Sequence, residues 1–352
     1  MKKKIVFILP HLNGGGAERV TLNYLRSIDR DKFNIILIVF DATSDLLHLV
    51  PEDIEFINLA TIKVSKSFFK LTAILKKLKP NYVFTSHYTV AFLLSISKKL
   101  LPKFQHLARI PGSPKSELEH KYYSNFKRTL FGYGLRSAQI NIAQTNEMLE
   151  EAINIFKLKR NNCTVLSNPL DTNLIDASIE NSKQVFDKNK YNIVASGRLH
   201  SVKGYDILIR AFKLICDSHR NIHLHILGSD KGMRDQLVKL VALLSLEDKI
   251  TFYGFVKNPY PYYNQCDLFV LSSIHEGFPN ALLENFYLNT PLVSTRCAKI
   301  VENIIKEGEN GYLCEVNNID SLYKSIRNAM RLERNKISTS SFKNSELNNL
   351  IN

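Results

Sequence analysis

Arg198 and Lys203 stand in the segment from Ala195 to Tyr205, between an apolar run that reads as a strand and an amphipathic run that reads as a helix. The helix dipole opposes cations at a helix start, so this placement predicts that something negative sits there. A planar guanidinium fork and an ammonium point charge converging on one anion would neutralise a diphosphate. A second segment, from Ser272 to Glu284, carries Glu276 in a loop after an apolar strand and Glu284 inside the helix that follows. Pro279 suits the first turn of that helix, which leaves the free amides of Asn280 and Ala281 facing a strand-end crevice. Carboxylates so placed accept hydrogen bonds from hydroxyls, as proteins commonly hold ribose and hexose rings. A surface glutamate followed by one favoured by the helix dipole would account for the same pair without any chemistry.

The first strand runs into Asn13-Gly14-Gly15-Gly16-Ala17-Glu18 and then a helix. Successive glycines let a ligand approach the backbone, and a helix N-terminus offers free N–H groups with partial positive charge, which suits a phosphate. The spacing is not the G-x-G-x-x-G dinucleotide fingerprint, and a glycine turn after a first strand also arises for purely structural reasons. Five cysteines at 163, 216, 266, 297 and 314 form no C-x-x-C pair, so neither a disulfide framework nor a zinc site is signalled.

The elements that must position these residues alternate. In the first half, runs at 4–9, 33–40, 54–59, 82–86, 106–110 and 139–143 read as strands, with helices near 17–28, 68–78, 90–100 and 145–156. The pattern restarts with strands at 192–196, 223–227, 250–253, 268–271 and 292–294, and helices near 204–216, 233–244, 260–264, 280–287 and 319–330. This is the signature of parallel sheets covered by helices, an α/β class with ligands bound at the carboxyl ends of strands. A length of 352 residues suggests two domains. We expect a first domain at 1–170, a polar linker at 171–190, a second domain at 191–335 and a tail at 336–352.

The net charge of +14 and a pI near 9.4 raise the question of a nucleic-acid partner. Residues 1–170 hold 25 Lys and Arg against 13 Asp and Glu, a net of +12, while residues 171–352 hold 22 against 20. No nucleic-acid motif accompanies the one-sided excess, so that reading is set aside. Lys63 to Lys79, Lys98 to Phe104 and Lys121 to Arg128 instead interleave basic with bulky apolar residues. A solvated lysine face on a core-packed helix explains the first of these, and so does contact with an anionic leaflet. The basic start at Lys2 to Lys4 is followed by an apolar run too short for a signal peptide, and no run is long enough to span a bilayer. The expectation is a cytoplasmic chain, peripheral on the inner face of the plasma membrane.

Taken together, the Gly-Gly-Ala-Glu start, Ser196-Gly197-Arg198 with Lys203-Gly204, Leu227-Gly228-Ser229, Phe252-Tyr253-Gly254-Phe255, Glu276 with Glu284, Thr290-Pro291 and Glu307-Gly308-Glu309-Asn310-Gly311 resemble the retaining GT-B glycosyltransferases of family 4. The resemblance is strong from about 190 to 315 and weaker in the first half. It implies two Rossmann-like, doubly wound domains facing across a cleft. It implies a nucleotide-sugar substrate, UDP-sugar by preference, whose diphosphate is bound by Arg198 and Lys203 with help from Gly15 and Gly16. Glu284 would hold the ribose, Glu276 the transferred sugar, backbone around Phe278 and Asn280 the sugar site, and Gly254, Phe255 and Val256 the base. By the same resemblance Glu276, Arg198 and Lys203 are the catalytic set, and His87 and Arg109, each at a predicted strand end of the first half, serve the acceptor.

Breaking the anomeric bond leaves negative charge on the diphosphate and positive charge on the sugar ring. Arg198, Lys203 and amide dipoles can stabilise the first without a metal, so no cofactor is expected. Asp29-Arg30-Asp31 matches a metal-binding D-x-D pattern but lies between a helix and a strand, where it reads as turn chemistry. Family members end in a long helix that returns to the first domain, and the polar stretch from Ser338 to Asn352 is short for that purpose. The expected function is transfer of a sugar, with retention, to a lipid-linked saccharide or glycan in O-antigen, capsule or lipopolysaccharide assembly. The alternatives are a sugar-nucleotide epimerase of the same fold and a non-catalytic sugar-nucleotide-binding subunit.

Overall fold

A computed structural model describes residues 2–13, 15–42, 46–61, 67–115, 125–180, 182–334 and 347–351. The chain divides into two compact units, one of residues 1–171 with 344–352, the other of residues 172–343. Gly14, Lys63, Lys66 and the segment from Lys121 to Ser124 lie outside the described residues, as does most of the tail from 335 onward.

In the first unit, seven parallel strands form one sheet in the order β3-β2-β1-β4-β5-β6-β7. They are β1 (Lys3–Leu9), β2 (Phe33–Val39), β3 (Glu55–Asn58), β4 (Tyr82–Thr85), β5 (Gln105–Arg109), β6 (Ile140–Ala143) and β7 (Cys163–Val165). Ile5 to Leu9 and Leu37 to Val39 are fully buried, as expected of strands covered on both faces. Among the described residues five helices connect them: α1 (Gly16–Ser27), α2 (Phe68–Leu78), α3 (Tyr88–Ser97), α4 (Asn125–Arg136) and α5 (Asn146–Phe156). The order reverses between β1 and β4, so the strand ends that carry α1 and His87 flank a switch point, where open α/β sheets leave room for ligands.

The second unit repeats the design with six parallel strands in the order β10-β9-β8-β11-β12-β13. The strands are β8 (Tyr191–Ser196), β9 (Ile222–Leu227), β10 (Ile250–Gly254), β11 (Leu268–Leu271), β12 (Leu292–Thr295) and β13 (Gly311–Cys314). Its helices are α6 (Thr172–Glu180), α7 (Tyr205–Cys216), α8 (Arg234–Leu243), α9 (Tyr260–Gln265), α10 (Asn280–Tyr287), α11 (Ile300–Ile304) and α12 (Ile319–Ala329). Leu208, Ile209 and Phe212 of α7 meet Ile193, Leu224 and Leu268 in one core cluster. Here the reversal falls between β8 and β11, the strands that lead to Arg198 and Glu276.

Several elements escape the sequence pattern for definite reasons. The stretch 171–190, expected as a linker, holds α6, whose only fully buried side chain is Ile175. The edge strands β7 and β13 are only partly buried and lack the continuous apolar run that marks the central strands. Helix α4 carries Gly132 and Gly134, residues that weaken a helical signal. The structure explains the second glycine, because a Cβ on Gly134 would lie 2.6 Å from the backbone nitrogen of Phe92 in α3. At the far end of the chain, residues 348–351 form one helical turn in the first unit, with Leu347 and Ile351 fully buried.

Gly134→Ala should therefore destabilise the protein although alanine is the better helix former. The propensity gain of about 1 kcal/mol is opposed by an overpacking cost of about 1–3 kcal/mol against backbone that cannot turn aside. Urea unfolding should show a lowered midpoint, and a raised one would mean that α3 and α4 have room to separate.

Candidate functional site

Three loops at the carboxyl ends of β8, β11 and β12 build the site in the second unit. After β8 the chain makes a single turn of 3-10 helix, Ser201–Lys203, and enters α7 through Gly204 at φ +60°. No other residue fits at Gly204, because a Cβ there would stand 2.3 Å from the carbonyl oxygen of Ser272 in the loop after β11. The loops are laced at the same level: Ile274 N–H donates to the Val202 carbonyl at 2.7 Å, and the Ser272 hydroxyl to the Lys203 carbonyl at 2.9 Å. The Thr295 hydroxyl, at the end of β12, donates to the Ser273 carbonyl, and the Glu276 N–H to the Cys297 carbonyl at 3.1 Å.

This lacing brings the Lys203 ammonium to the Glu276 carboxylate. Lys203 Nζ lies 2.5 Å from Glu276 Oε1, and the Ser273 hydroxyl donates to the same oxygen at 2.7 Å. Both charged side chains are largely withdrawn from water, 19% and 14% exposed. Lys203 was expected to converge with Arg198 on an anion; in this structure its contact is with Glu276. An ammonium this far from solvent requires a counter-charge, and Glu276 is the carboxylate within reach. Arg198 is exposed. Burial pushes the neighbouring Cys297 thiol up to about 12, which keeps it neutral beside Glu276.

The other sequence-derived positions in this unit lie on the same ends of the sheet. Glu284 is half-buried inside α10, whose first turn starts at Asn280 directly after Pro279, and Phe278 is half-buried in the loop before it. Gly254 closes β10 at φ +69° and accepts the Gly228 N–H at 2.7 Å, with Phe255 and Val256 half-buried just beyond. Gly228 itself passes so close to Gly197 that a Cβ would fall 1.9 Å from the Gly197 carbonyl oxygen. That approach holds the loops after β8 and β9 together. Ser273 and the Cys297 carbonyl, which fix Glu276, carried no signal of their own in the sequence.

A second constellation lies within the first unit, at the ends of β1, β4 and β5. Glu18, 4% exposed in the first turn of α1, contacts His11 Nδ1 at 3.2 Å and His87 Nε2 at 3.6 Å through one oxygen. Its carboxylate folds back over Gly15, where a Cβ would lie 2.2 Å from Oε2. The amides at Gly15 and Gly16, expected to face a phosphate, thus have a carboxylate of the same chain beside them. Burial alone would raise the Glu18 pKa, but the two imidazoles outweigh it and hold the carboxyl far below its usual range. The same contact raises His11 above its ordinary 6.5, against the opposing effect of burial. His87 therefore joins a cluster with Glu18 and His11, neither of which the sequence had marked for a role. Arg109, 3% exposed, donates to Asn168 Oδ1 at 2.8 Å and lies beside the Tyr24 hydroxyl. At the Asp29-Arg30-Asp31 turn, the Asp31 N–H donates to Asp29 Oδ1 at 2.9 Å, the local bond that turn chemistry calls for.

Residues 176–344 match the family described as glycosyl transferases group 1. An uncharacterized glycosyltransferase of Methanocaldococcus jannaschii is 28% identical over 267 residues, 73% of this chain and 64% of that protein, so the match spans less than two thirds of its length. The N-acetylgalactosamine-N,N'-diacetylbacillosaminyl-diphospho-undecaprenol 4-alpha-N-acetylgalactosaminyltransferase of Campylobacter jejuni is 27% identical over 341 residues, 93% of this chain and 90% of that protein. Among solved structures, Anabaena HepE in complex with UDP-glucose superposes with a TM-score of 0.76 at 18% identity, covering 93% of this chain and 90% of the other. That likeness establishes a shared GT-B fold.

The Glu18 cluster has a signed pH dependence. A raised histidine pKa contributes stability that is full below 6.5 and fades as pH rises through the folded value of His11. The depressed carboxyl contributes stability above 4.5 that is lost as pH falls well below it. Glu18→Gln should lower the His11 pKa in an NMR titration, and its stability deficit should be larger at pH 6 than at pH 9. An unshifted His11 would show that the contact carries no charge coupling.

Proposed function

We propose, from the match of residues 176–344 to the group 1 glycosyl transferases, that the chain moves a sugar from a nucleoside-diphosphate donor, UDP-sugar by preference, with retention of anomeric configuration. The acceptor is a lipid-linked saccharide or glycan in cell-surface polysaccharide assembly. The single observation that carries this reading is the Lys203–Glu276 pair, laced between three loops at the switch point of the second sheet. It supports the reading because the cation assigned to the diphosphate and the carboxylate assigned to the sugar hydroxyls lie side by side, as a donor with diphosphate and sugar joined by one bond would need.

In this mechanism the donor diphosphate takes the Lys203 ammonium and draws in exposed Arg198, which has room to fold over an anion. Glu276 is then released towards the sugar hydroxyls, still held by the Ser273 hydroxyl and by its own N–H on Cys297. As the anomeric C–O bond breaks, the two cations stabilise the charge growing on the diphosphate, and Glu276 shields the positive ring. Glu284 takes the ribose, and the chain around Gly254, Phe255 and Val256 takes the base. Charge neutralisation by Arg198 and Lys203 stands in the place a metal would fill, so the reaction needs none. His87 and Arg109 serve the acceptor, with His11 and Glu18 holding His87 in place. The Campylobacter jejuni relative, whose name specifies a diphospho-undecaprenol acceptor, supports the lipid-linked choice. A lipopolysaccharide core glycosyltransferase of Rhizobium meliloti, 28% identical over 247 residues, supports the polysaccharide setting.

The test is incubation with a panel of UDP- and GDP-sugars and polyprenyl-diphosphate-linked acceptors. Transfer should require both substrates and persist in EDTA. Product from the donor alone, an epimer, would instead establish an epimerase, and binding without turnover a non-catalytic subunit. Lys203→Ala and Arg198→Ala should each weaken UDP binding by about tenfold to a hundredfold, the loss of a charge-assisted contact worth about 1.5–3 kcal/mol. Full affinity in both variants would refute the assignment of the diphosphate site.

A further inference from the structure

The first unit presents one helical face rich in exposed apolar and basic side chains. Connections β3 to β4, β4 to β5 and β5 to β6 all run the same way across the sheet, so right-handed crossovers put α2, α3 and α4 in one layer on one side. Their inner residues are accounted for: Leu71, Leu75, Val90 and Leu94 in one core cluster, Phe131 and Leu135 in its neighbour. The layer is closely knit. The Thr72 hydroxyl of α2 donates to Ser97 of α3 at 3.1 Å, and Gly134 lets α4 press against the backbone of Phe92.

The outer side of this layer is unlike a solvated helical surface. Phe69 is 81% exposed on α2, Phe126 70% and Tyr133 48% on α4, Ile96 44% on α3, and Leu100 60% on the 3-10 turn Lys98–Leu100 that follows. The Phe92 and Tyr133 rings meet edge to face at 6.3 Å, joining the outer stripes of α3 and α4. Between these side chains stand exposed lysines, among them Lys76, Lys77 and Lys99. From Phe56 to Ser116 the sequence holds 11 Lys and Arg and no Asp or Glu. Large exposed apolar side chains interleaved with exposed lysines suit a partner that is apolar at depth and anionic at its surface.

We infer that the outer face of α2, α3 and α4 docks on an anionic phospholipid surface, with Phe69 and Phe126 inserted among the acyl chains and the lysines on the headgroups. A bilayer supplies both the apolar depth and the negative surface potential, and each basic residue near that surface adds to the attraction. Nucleic acid would match the charge and leave the exposed aliphatic and aromatic side chains in water. No described helix is long and apolar enough to cross a membrane, so the contact is superficial. The inference deepens the proposed transfer to a lipid-linked acceptor by naming the face that meets the lipid.

The chain contains no tryptophan, so Phe126→Trp gives a lone fluorescent reporter on the face, and Val238→Trp, on an exposed position of α8 in the second unit, gives the control. With extruded vesicles of phosphatidylcholine and phosphatidylglycerol, the full chain should co-sediment, and only the Phe126→Trp emission should shift to the blue. Phosphatidylcholine alone should bind about tenfold less or worse, and so should the mixed vesicles once 0.5 M salt is added, as screening of the lysines requires (roughly a Debye length of a few Å). The surface double variant Phe69→Ser with Phe126→Ser should lose about tenfold in vesicle binding while keeping UDP affinity and transfer to a water-soluble acceptor analogue. Absence of vesicle binding, a blue shift at both reporters, or salt-sensitive binding to single-stranded RNA with none to vesicles would each overturn the inference. Vesicle binding without any sugar transfer would leave the docking face standing and remove the enzymatic reading, and transfer without vesicle binding would do the reverse.

Discussion

A cation held out of water must have a counter-charge at every moment, whether or not a ligand is present. That constraint organises the second unit. Lys203 is carried into the crevice by a 3-10 turn and by Gly204, whose missing side chain lets the turn lie against the Ser272 carbonyl. Once there, the ammonium takes Glu276 as its partner, and the Ser273 hydroxyl and Cys297 carbonyl fix that carboxylate from the two neighbouring strand ends. The pair is thus a property of the packed loops and not of either residue alone. In the proposed mechanism an incoming diphosphate would exchange one anionic partner of Lys203 for another, sparing the ammonium an unpaired state.

The first unit answers the same constraint around a buried carboxylate: the imidazoles of His11 and His87 lie against one oxygen of Glu18. Both sheets therefore place a charged cluster at the switch point of strand order, one centred on a lysine and one on a glutamate. In the account proposed above, the lysine-centred cluster meets a donor that carries two phosphates, and the glutamate-centred cluster orients His87 for an acceptor. The same unit carries the basic helical layer proposed to meet lipid. Recognition of the acceptor and contact with the membrane then fall to one folding unit.

Much of this was legible in the sequence because local signals agreed with the global design. β-branched runs alternating with amphipathic stretches gave the parallel sheets; Arg198 and Lys203 were marked as cations standing at a helix start, and Glu276 and Glu284 by their places in a strand-end loop and the helix that follows it. Contacts that depend on long-range lacing were not legible. Nothing local says that Lys203 will meet Glu276, 73 residues later, instead of standing beside Arg198. Nor does the glycine-rich start reveal that Glu18 will fold back over Gly15 and gather two histidines from different strand ends. The missed elements share a weak apolar signal: β7 and β13 are only partly buried, α6 has a single fully buried residue, and in α4 Gly134 serves close packing at the expense of helix propensity.

The central claim is that Glu276 holds Lys203 in reserve and gives it up to the donor diphosphate. Calorimetric titration of UDP into the native chain and into Glu276→Gln tests it most directly, since UDP carries the diphosphate without the sugar that Glu276 would later hold. With its competitor neutralised, Lys203 should bind UDP about three- to tenfold more tightly in the variant, roughly 0.7–1.4 kcal/mol, even as sugar transfer is lost. If Glu276→Gln weakens UDP binding as much as Lys203→Ala does, the carboxylate is no competitor and the account of the pair is wrong.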